Sequence, residues 1–168
     1  MLIDEVLLKM IAFDAGDERR IQHFIKVHAF ARLIGHEEGL SPDVQERLEL
    51  AAILHDIGIH AAEEKYGSSA GKYQEIEGPA PARDILASCG VPAEEVERIC
   101  FLIAHHHTYT DVNGVDWQIL LEADFLVNAF EDGLSAQAVE TFGQKVFRTA
   151  SSRRLLAEIY GAPSDARA

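Results

Sequence analysis

The sequence predicts an all-α protein, and two patterns support this fold class. Apolar residues recur every three to four positions along almost the whole chain, as they do on the buried face of a helix. No stretch alternates apolar and polar residues as a half-buried strand does. The chain has 168 residues and no evident linker, so we expect a single domain over 1–168.

The helix boundaries follow from capping signals and helix breakers. Asp17 is a suitable N-cap for a helix that runs to Gly39, and Ser41 followed by Pro42 marks the start of another. Residues 60–78 are polar and rich in Gly and Ser, which predicts a loop with at most a short helical turn. We expect the remaining helices near residues 2–11, 79–88, 92–107, 115–131, 135–147 and 153–160, followed by a frayed tail from Gly161.

The composition limits the partners and the compartment. The formal net charge of -13 repels a phosphate backbone and argues against binding of nucleic-acid duplexes. A small phosphorylated substrate remains compatible, since bound divalent cations reverse the charge inside one cleft. Cys89 and Cys100 have no C-x-x-C spacing, which indicates free thiols. With neither a signal-peptide pattern nor a long apolar run, we expect a cytoplasmic protein without membrane contact. The oligomeric state stays open, a homodimer included.

Three helices offer imidazole or carboxylate groups. His28 has the apolar neighbours Val27 and Phe30, and taken alone it is better explained as a core histidine bonded to a backbone carbonyl. The pair His55-Asp56 follows the apolar end of a helix, LAAILHDIG. A carboxylate buried there needs a cation or a hydrogen-bond donor.

Asp124 has the strongest argument from pattern alone. It lies in ILLEADFLVNAF, with Leu120, Leu121 and Val127 at helical spacing around it, which places it near the inward face. An inward carboxylate requires either a metal ion or a structural ion pair. The candidate cations for such a pair are Arg20, Lys26 and Arg32.

The order of these groups resembles the HD superfamily of metal-dependent phosphohydrolases. LAAILHDIG is similar to that family's central motif, and the likeness covers roughly residues 20–132. The resemblance implies an all-α HD domain with C-terminal helices over 135–160. It also implies one or two divalent ions (Fe, Mn, Co, Ni or Zn) and metal ligands at His28, His55, Asp56 and Asp124. The implied second-metal ligands are His105 or His106, with Glu77 where other members have an earlier histidine.

The same resemblance implies hydrolysis of a phosphoester, in a nucleotide or another small phosphorylated metabolite. A bound cation lowers the pKa of its water to about 7, so that hydroxide is available to attack phosphorus. His55, Asp56 and His60 are the catalytic candidates, with His60 as a general base. The candidate cations for the substrate's phosphate are Arg20, Lys72 and Arg83. Two alternatives stay open: an HD-fold diiron oxygenase, and a non-catalytic metal-binding sensor or interaction module.

Overall fold

A computed structural model describes residues 1–161, and over that part of the chain it is helical without any strand. The all-α prediction is therefore confirmed. No helix among these residues is both long enough and apolar enough to cross a membrane. The predicted frayed tail lies, apart from Gly161, outside the described residues. The helices are α1 (Leu2–Phe13), α2 (Glu18–Glu37), α3 (Pro42–Leu54), α4 (Ile59–Tyr66), α5 (Gly71–Glu77), α6 (Pro79–Ser88), α7 (Ala93–Ile103), α8 (Val115–Glu131), α9 (Ala136–Val146) and α10 (Ala150–Tyr160).

The segment expected to be a loop, 60–78, instead forms the two short helices α4 and α5. Each is too short to show a helical repeat of apolar residues, and each buries little: Ile59 and Ala62 from α4, Gln74 from α5. Gly67 ends α4 in the left-handed conformation with φ 64°, which glycine adopts without steric cost. Packing against neighbouring helices, rather than intrinsic propensity, accounts for helices of this length.

Helices α2, α3 and α8 form the centre of the fold. From Leu48 to Leu54 every residue of α3 is buried, which is the pattern of a helix surrounded by others on all sides. The polypeptide leaves α3 inside the molecule, so the turn that follows carries His55 and Asp56 into the interior. Twelve of the residues of α8 are buried, Asp124 among them.

Gly58 allows the turn after Asp56 to approach another backbone very closely. A Cβ built on Gly58 would lie 2.4 Å from the amide nitrogen of Gly78 and 2.7 Å from the carbonyl carbon of Glu77. Gly58 itself has an ordinary φ of -83°, so the requirement for glycine comes from space and not from conformation. Because backbone atoms cannot move aside as a flexible side chain does, any side chain here would displace the start of α4 from the junction of α5 and α6.

Candidate metal centre and adjoining cavity

Four side chains from three parts of the fold converge on one point: His23 of α2, His55 and Asp56 after α3, and Asp124 of α8. His23 Nε2 lies 3.1 Å from His55 Nε2. Asp56 Oδ2 lies 3.4 Å from His23 Nε2 and 3.5 Å from His55 Nε2. Asp124 Oδ1 lies 3.3 and 3.4 Å from the same two nitrogen atoms. His23, His55 and Asp124 are buried, whereas the Asp56 side chain keeps 14% of its surface exposed.

The hydrogen bonds at the far side of each ring fix which nitrogen faces this point. His55 Nδ1 donates to the carbonyl oxygen of Ala52 at 2.7 Å. His23 Nδ1 donates to Glu131 Oε2 at 3.1 Å. Carbonyl and carboxylate oxygens only accept, so Nδ1 carries the proton in both rings. In the neutral imidazoles, both Nε2 atoms then present lone pairs to carboxylate oxygens, which also offer only lone pairs.

A metal ion bound between these atoms would accept the lone pairs that otherwise face one another. The spacing of the nitrogen and oxygen atoms fits such an ion. Nitrogen and oxygen ligands at about 2.0–2.2 Å from a tetrahedral ion are separated by about 3.3–3.6 Å, against the 3.3–3.5 Å between the carboxylate oxygens and Nε2 atoms. Asp124 Oδ1 is buried and has no partner with the geometry of a hydrogen bond among residues 1–161. These residues could therefore hold a divalent metal, and their N and O atoms suit the ions from Mn to Zn.

Without a metal ion, protons would have to supply the positive charge. Burial lowers the pKa of His55, but the charges of Asp56 and Asp124 outweigh burial and raise it to about 9. Burial also opposes ionisation of Asp124, yet its contacts with His23 and His55 hold its pKa well below the ordinary value. The cluster is thus built to bind positive charge at neutral pH, which is the property a metal centre needs.

A second group of donors adjoins the first and shares Asp56. His106 Nε2 lies 2.9 Å from Asp56 Oδ1, and His106 Nδ1 donates to the carbonyl oxygen of Ile103 at 2.7 Å. His107 Nε2 is buried without a hydrogen-bond partner in the part of the chain that the structure describes. Burial, followed by the charge of His106, lowers the pKa of His107 to about 4, so its ring is neutral at pH 7. Asp56, His106 and His107 could therefore hold a second ion, with the Asp56 carboxylate between the two positions.

The expected position of His28 needs correction. His28 lies on α2 five residues beyond His23, and its Nε2 contacts Glu49 Oε2 of α3 at 2.8 Å. It does not belong to the donor cluster. Residues five apart on a helix lie about 140° apart around the axis, so His23 and His28 face different neighbours. His23, which sequence reasoning missed, occupies the position assigned to His28.

Two of the three expected second-metal ligands also lie elsewhere. The His105 ring stacks on Phe101 with centroids 4.1 Å apart, and its Nδ1 donates to the Phe101 carbonyl. Glu77 accepts hydrogen bonds from Lys65 and Tyr66. Of the expected second-metal ligands, only His106 belongs to the second donor group. The other histidine of that group is His107 and not His105. The three histidines lie in the turn after α7, where consecutive side chains point to different sides.

A cavity of about 730 Å³ opens directly on Asp56 and His23. Of the three cations expected to bind phosphate, only Arg20 lines it. Arg83 pairs with Glu97 on the surface, and the Lys72 ammonium lies over the Tyr73 ring at 4.6 Å.

Arg19, which the sequence did not single out, also lines the cavity. Arg20 is held by Asp17 and Glu63, whereas Arg19 has no ion pair with any of the residues 1–161.

His60 does not line this cavity, contrary to the expected catalytic role. Its Nε2 lies 3.2 Å from Asp14 Oδ1 and 3.3 Å from Asp17 Oδ2, in a neighbouring surface depression. Within the described residues, neither oxygen of the buried Asp14 carboxylate has a partner with hydrogen-bond geometry. Burial, only partly offset by His60, raises the pKa of Asp14 to about 6.

The comparisons with known proteins identify the family and agree with the fold. A family model described as the HD domain matches residues 20–139, more than half of the chain. The chain belongs to the HD domain family. The crystal structure of a predicted HD superfamily hydrolase from an uncultured Thermotogales bacterium has the same fold as this HD domain, with a TM-score of 0.64 and 23% sequence identity. That match covers 95% of this chain and 83% of the other. No curated protein matches this HD domain in sequence.

Proposed function

We propose that this HD domain is a metal-dependent phosphohydrolase that cleaves a phosphoester of a small metabolite. The observation that carries the proposal is the convergence of His23, His55, Asp56 and Asp124 beside an open cavity. Asp56 belongs to both the donor cluster and the cavity lining, so a metal held there would be accessible to a substrate. A structural metal site is closed instead, with every coordination position filled by the protein.

Each side chain then has a separate task. His23, His55, Asp56 and Asp124 would hold the metal, and Glu131 keeps the His23 ring oriented by accepting from Nδ1. Arg19 and Arg20 stand about one helical turn before His23 on α2 and would bind the phosphate oxygens. The metal, when bound, supplies a water of lowered pKa and neutralises charge that develops on the phosphate. Asp17 and Glu63 fix the Arg20 guanidinium in advance of binding.

The second donor group supports a second candidate reaction. Asp56 between two sets of imidazoles would suit a dinuclear centre, which a diiron oxygenase also needs. The cations that line the cavity favour a phosphorylated substrate, and we therefore rank hydrolysis first. Phosphate release under argon by the metal-loaded protein would exclude oxygen activation as the main reaction. Turnover that requires dioxygen, with a mixed-valent iron signal, would favour it.

The test is a screen of the metal-free protein reconstituted separately with Mn²⁺, Fe²⁺, Co²⁺, Ni²⁺ and Zn²⁺. Substrates are p-nitrophenyl phosphate and a panel of nucleotides and sugar phosphates, with phosphate release as the readout. The matched variants are Asp56→Ala, which removes the shared ligand, and Glu97→Ala, which removes a surface carboxylate outside the cavity. We expect hydrolysis by the parent protein and Glu97→Ala, and loss of metal and activity together in Asp56→Ala. Full metal content in Asp56→Ala would overturn the assignment.

A further inference from the structure

The cavity is far larger than a phosphate group needs. Its volume of about 730 Å³ compares with about 30 Å³ for one water molecule in the liquid, and it lies within the range of about 300–1,000 Å³ found for drug-sized ligands. A substrate that fills it carries a sizeable organic part beyond the phosphate. The lining of the cavity away from the metal centre therefore decides which substrates fit.

Helix α8 contributes several residues to the cavity lining. Asp124 lies at the donor cluster, and Phe125, Asn128 and Asp132 follow it along the cavity lining. At 1.5 Å per residue, Asn128 lies about 6 Å and Asp132 about 12 Å beyond Asp124 along the helix. The side chains of Asn128 and Asp132 make no hydrogen bond or ion pair with any of the residues 1–161. Both are thus free to contact a ligand.

An aromatic wall forms another part of the cavity lining. Phe125 and Phe142 stack with their ring centroids 3.8 Å apart, and Tyr109 meets Phe142 edge to face at 5.2 Å. All three line the cavity together with Leu134. A wall of this kind contacts an apolar or planar group and offers no partner to a phosphate.

The cavity lining carries charges of both signs. The cations Arg19 and Arg20 lie on the first turn of α2, close to His23. Carboxylates line the cavity as well: Asp17 beside the two arginines, and Glu131 and Asp132 at the C-terminal end of α8. Asp17 is paired with Arg20, and Glu131 with His23 and Lys26. Asp132 has no ion pair with any of the residues 1–161, so the lining beside it carries a negative charge that no cation of this part of the chain balances. A second or third phosphate placed there would be repelled.

We infer that the substrate is a phosphomonoester of a bulky neutral or cationic group with hydroxyl or amino hydrogen-bond donors, and that Asn128 and Asp132 select it over polyphosphates. The inference rests on the proposed phosphohydrolase function. Asp132 accepts hydrogen bonds from the organic part and excludes additional phosphates. Asn128 donates and accepts one turn closer to the metal centre, and the aromatic wall contacts the apolar face of the same group.

The experiment compares ligands that differ only in phosphate number: adenosine 5′-monophosphate, diphosphate and triphosphate. Both kcat/KM and binding by isothermal titration calorimetry are measured on the Mn²⁺-loaded protein. The variants are Asp132→Asn, Asp132→Lys and the matched control Glu140→Lys, which makes the same change of charge outside the cavity. Because each variant is compared with the parent protein, intrinsic differences in reactivity between esters and anhydrides cancel.

We expect the parent protein to prefer the monophosphate. The ratio of monophosphate to diphosphate should fall about threefold in Asp132→Asn and about tenfold in Asp132→Lys, the size of one and two unit charges at about 7 Å in water. Glu140→Lys should leave the ratio unchanged. An unchanged ratio in Asp132→Lys, with hydrolysis of p-nitrophenyl phosphate intact, would overturn this inference and leave the proposed function standing. Failure to hydrolyse any phosphomonoester would overturn the proposed function and the inference with it.

Discussion

Replacing His23 by alanine, with His28→Ala as the matched control, gives the sharpest test of the metal centre. Both residues are histidines of α2 that contact a carboxylate, but only His23 belongs to the donor cluster. Loss of a group that merely hydrogen-bonds a metal ligand weakens binding by about 10- to 100-fold. Removal of a ligand itself should therefore weaken binding by at least about 100-fold, or about 2.7 kcal/mol.

His28→Ala should act on stability instead. It removes the contact between His28 Nε2 and Glu49 Oε2 at 2.8 Å, and Glu49 keeps its hydrogen bond from Gln45 at 2.7 Å. Loss of a donor to a mostly buried carboxylate costs about 1–3 kcal/mol. We expect a lower melting temperature with unchanged metal content.

Elemental analysis after dialysis against limiting metal measures occupancy, and circular dichroism checks that each variant is folded. Full occupancy in folded His23→Ala would refute our assignment of ligands. Loss of metal from folded His28→Ala would refute it equally, because it would return His28 to the site.

Four further outcomes follow from the same structure. Chelation should lower the melting temperature of the metal-loaded parent protein by about 5–10 °C. The reason is that a ligand at 100 times its dissociation constant stabilises the folded state by about 2.7 kcal/mol. Asp56→Ala should show no such change. Glu131→Gln should weaken metal binding about 10- to 100-fold in equilibrium dialysis, because it alters the acceptor for His23 Nδ1. Gly58→Ala should lower the free energy of unfolding by about 2–3 kcal/mol, since its Cβ meets backbone atoms. An unchanged free energy of unfolding in urea denaturation would contradict the close approach of Gly58 to the backbone of Glu77 and Gly78. The folded state binds a proton at Asp14 up to pH about 6, above the ordinary 3.8, so this residue's contribution to stability falls as pH rises between those values. Relative to the parent protein, Asp14→Asn should therefore gain about 1–2 kcal/mol between pH 4 and pH 7 in urea denaturation, and an equal difference at both values would contradict the shift.

Asp124 shows what the sequence can predict about the site. Its helix is long and buried, so the spacing of Leu120, Leu121 and Val127 identifies the inward face, and the structure brings Asp124 to the cluster. The HD motif was equally informative, because the apolar end of α3 fixes the turn that carries His55 and Asp56 inside.

His23 shows why another candidate ligand was missed. His28 was assigned through the family resemblance, while its apolar sequence neighbours alone indicated a core histidine. Neighbours adjacent in sequence are a poor guide, because they face different directions on a helix. The relevant neighbours stand three and four positions apart, and His23 forms one stripe with Val27, Ala31 and Ile34 at such spacing. That signal was present in the sequence.

Other features have no comparable signal. The choice of His106 and His107 over His105 depends on the turn after α7, where no periodicity applies. Helices α4 and α5 depend on tertiary contacts, among them the approach of Gly58 to Gly78. Long-range contacts of this kind are specified by the whole fold, so a local pattern does not predict them.

The orientation of the imidazoles has a consequence for how the site tolerates mutation. His55 and His106 are held by the carbonyl oxygens of Ala52 and Ile103, which every amino acid at those positions would still provide. His23 alone depends on a replaceable group, the Glu131 carboxylate. Random substitution around the centre would therefore leave the His55 and His106 rings oriented, and only the His23 ring would lose its acceptor. Substitution at position 131 would therefore change the metal affinity without changing a candidate ligand.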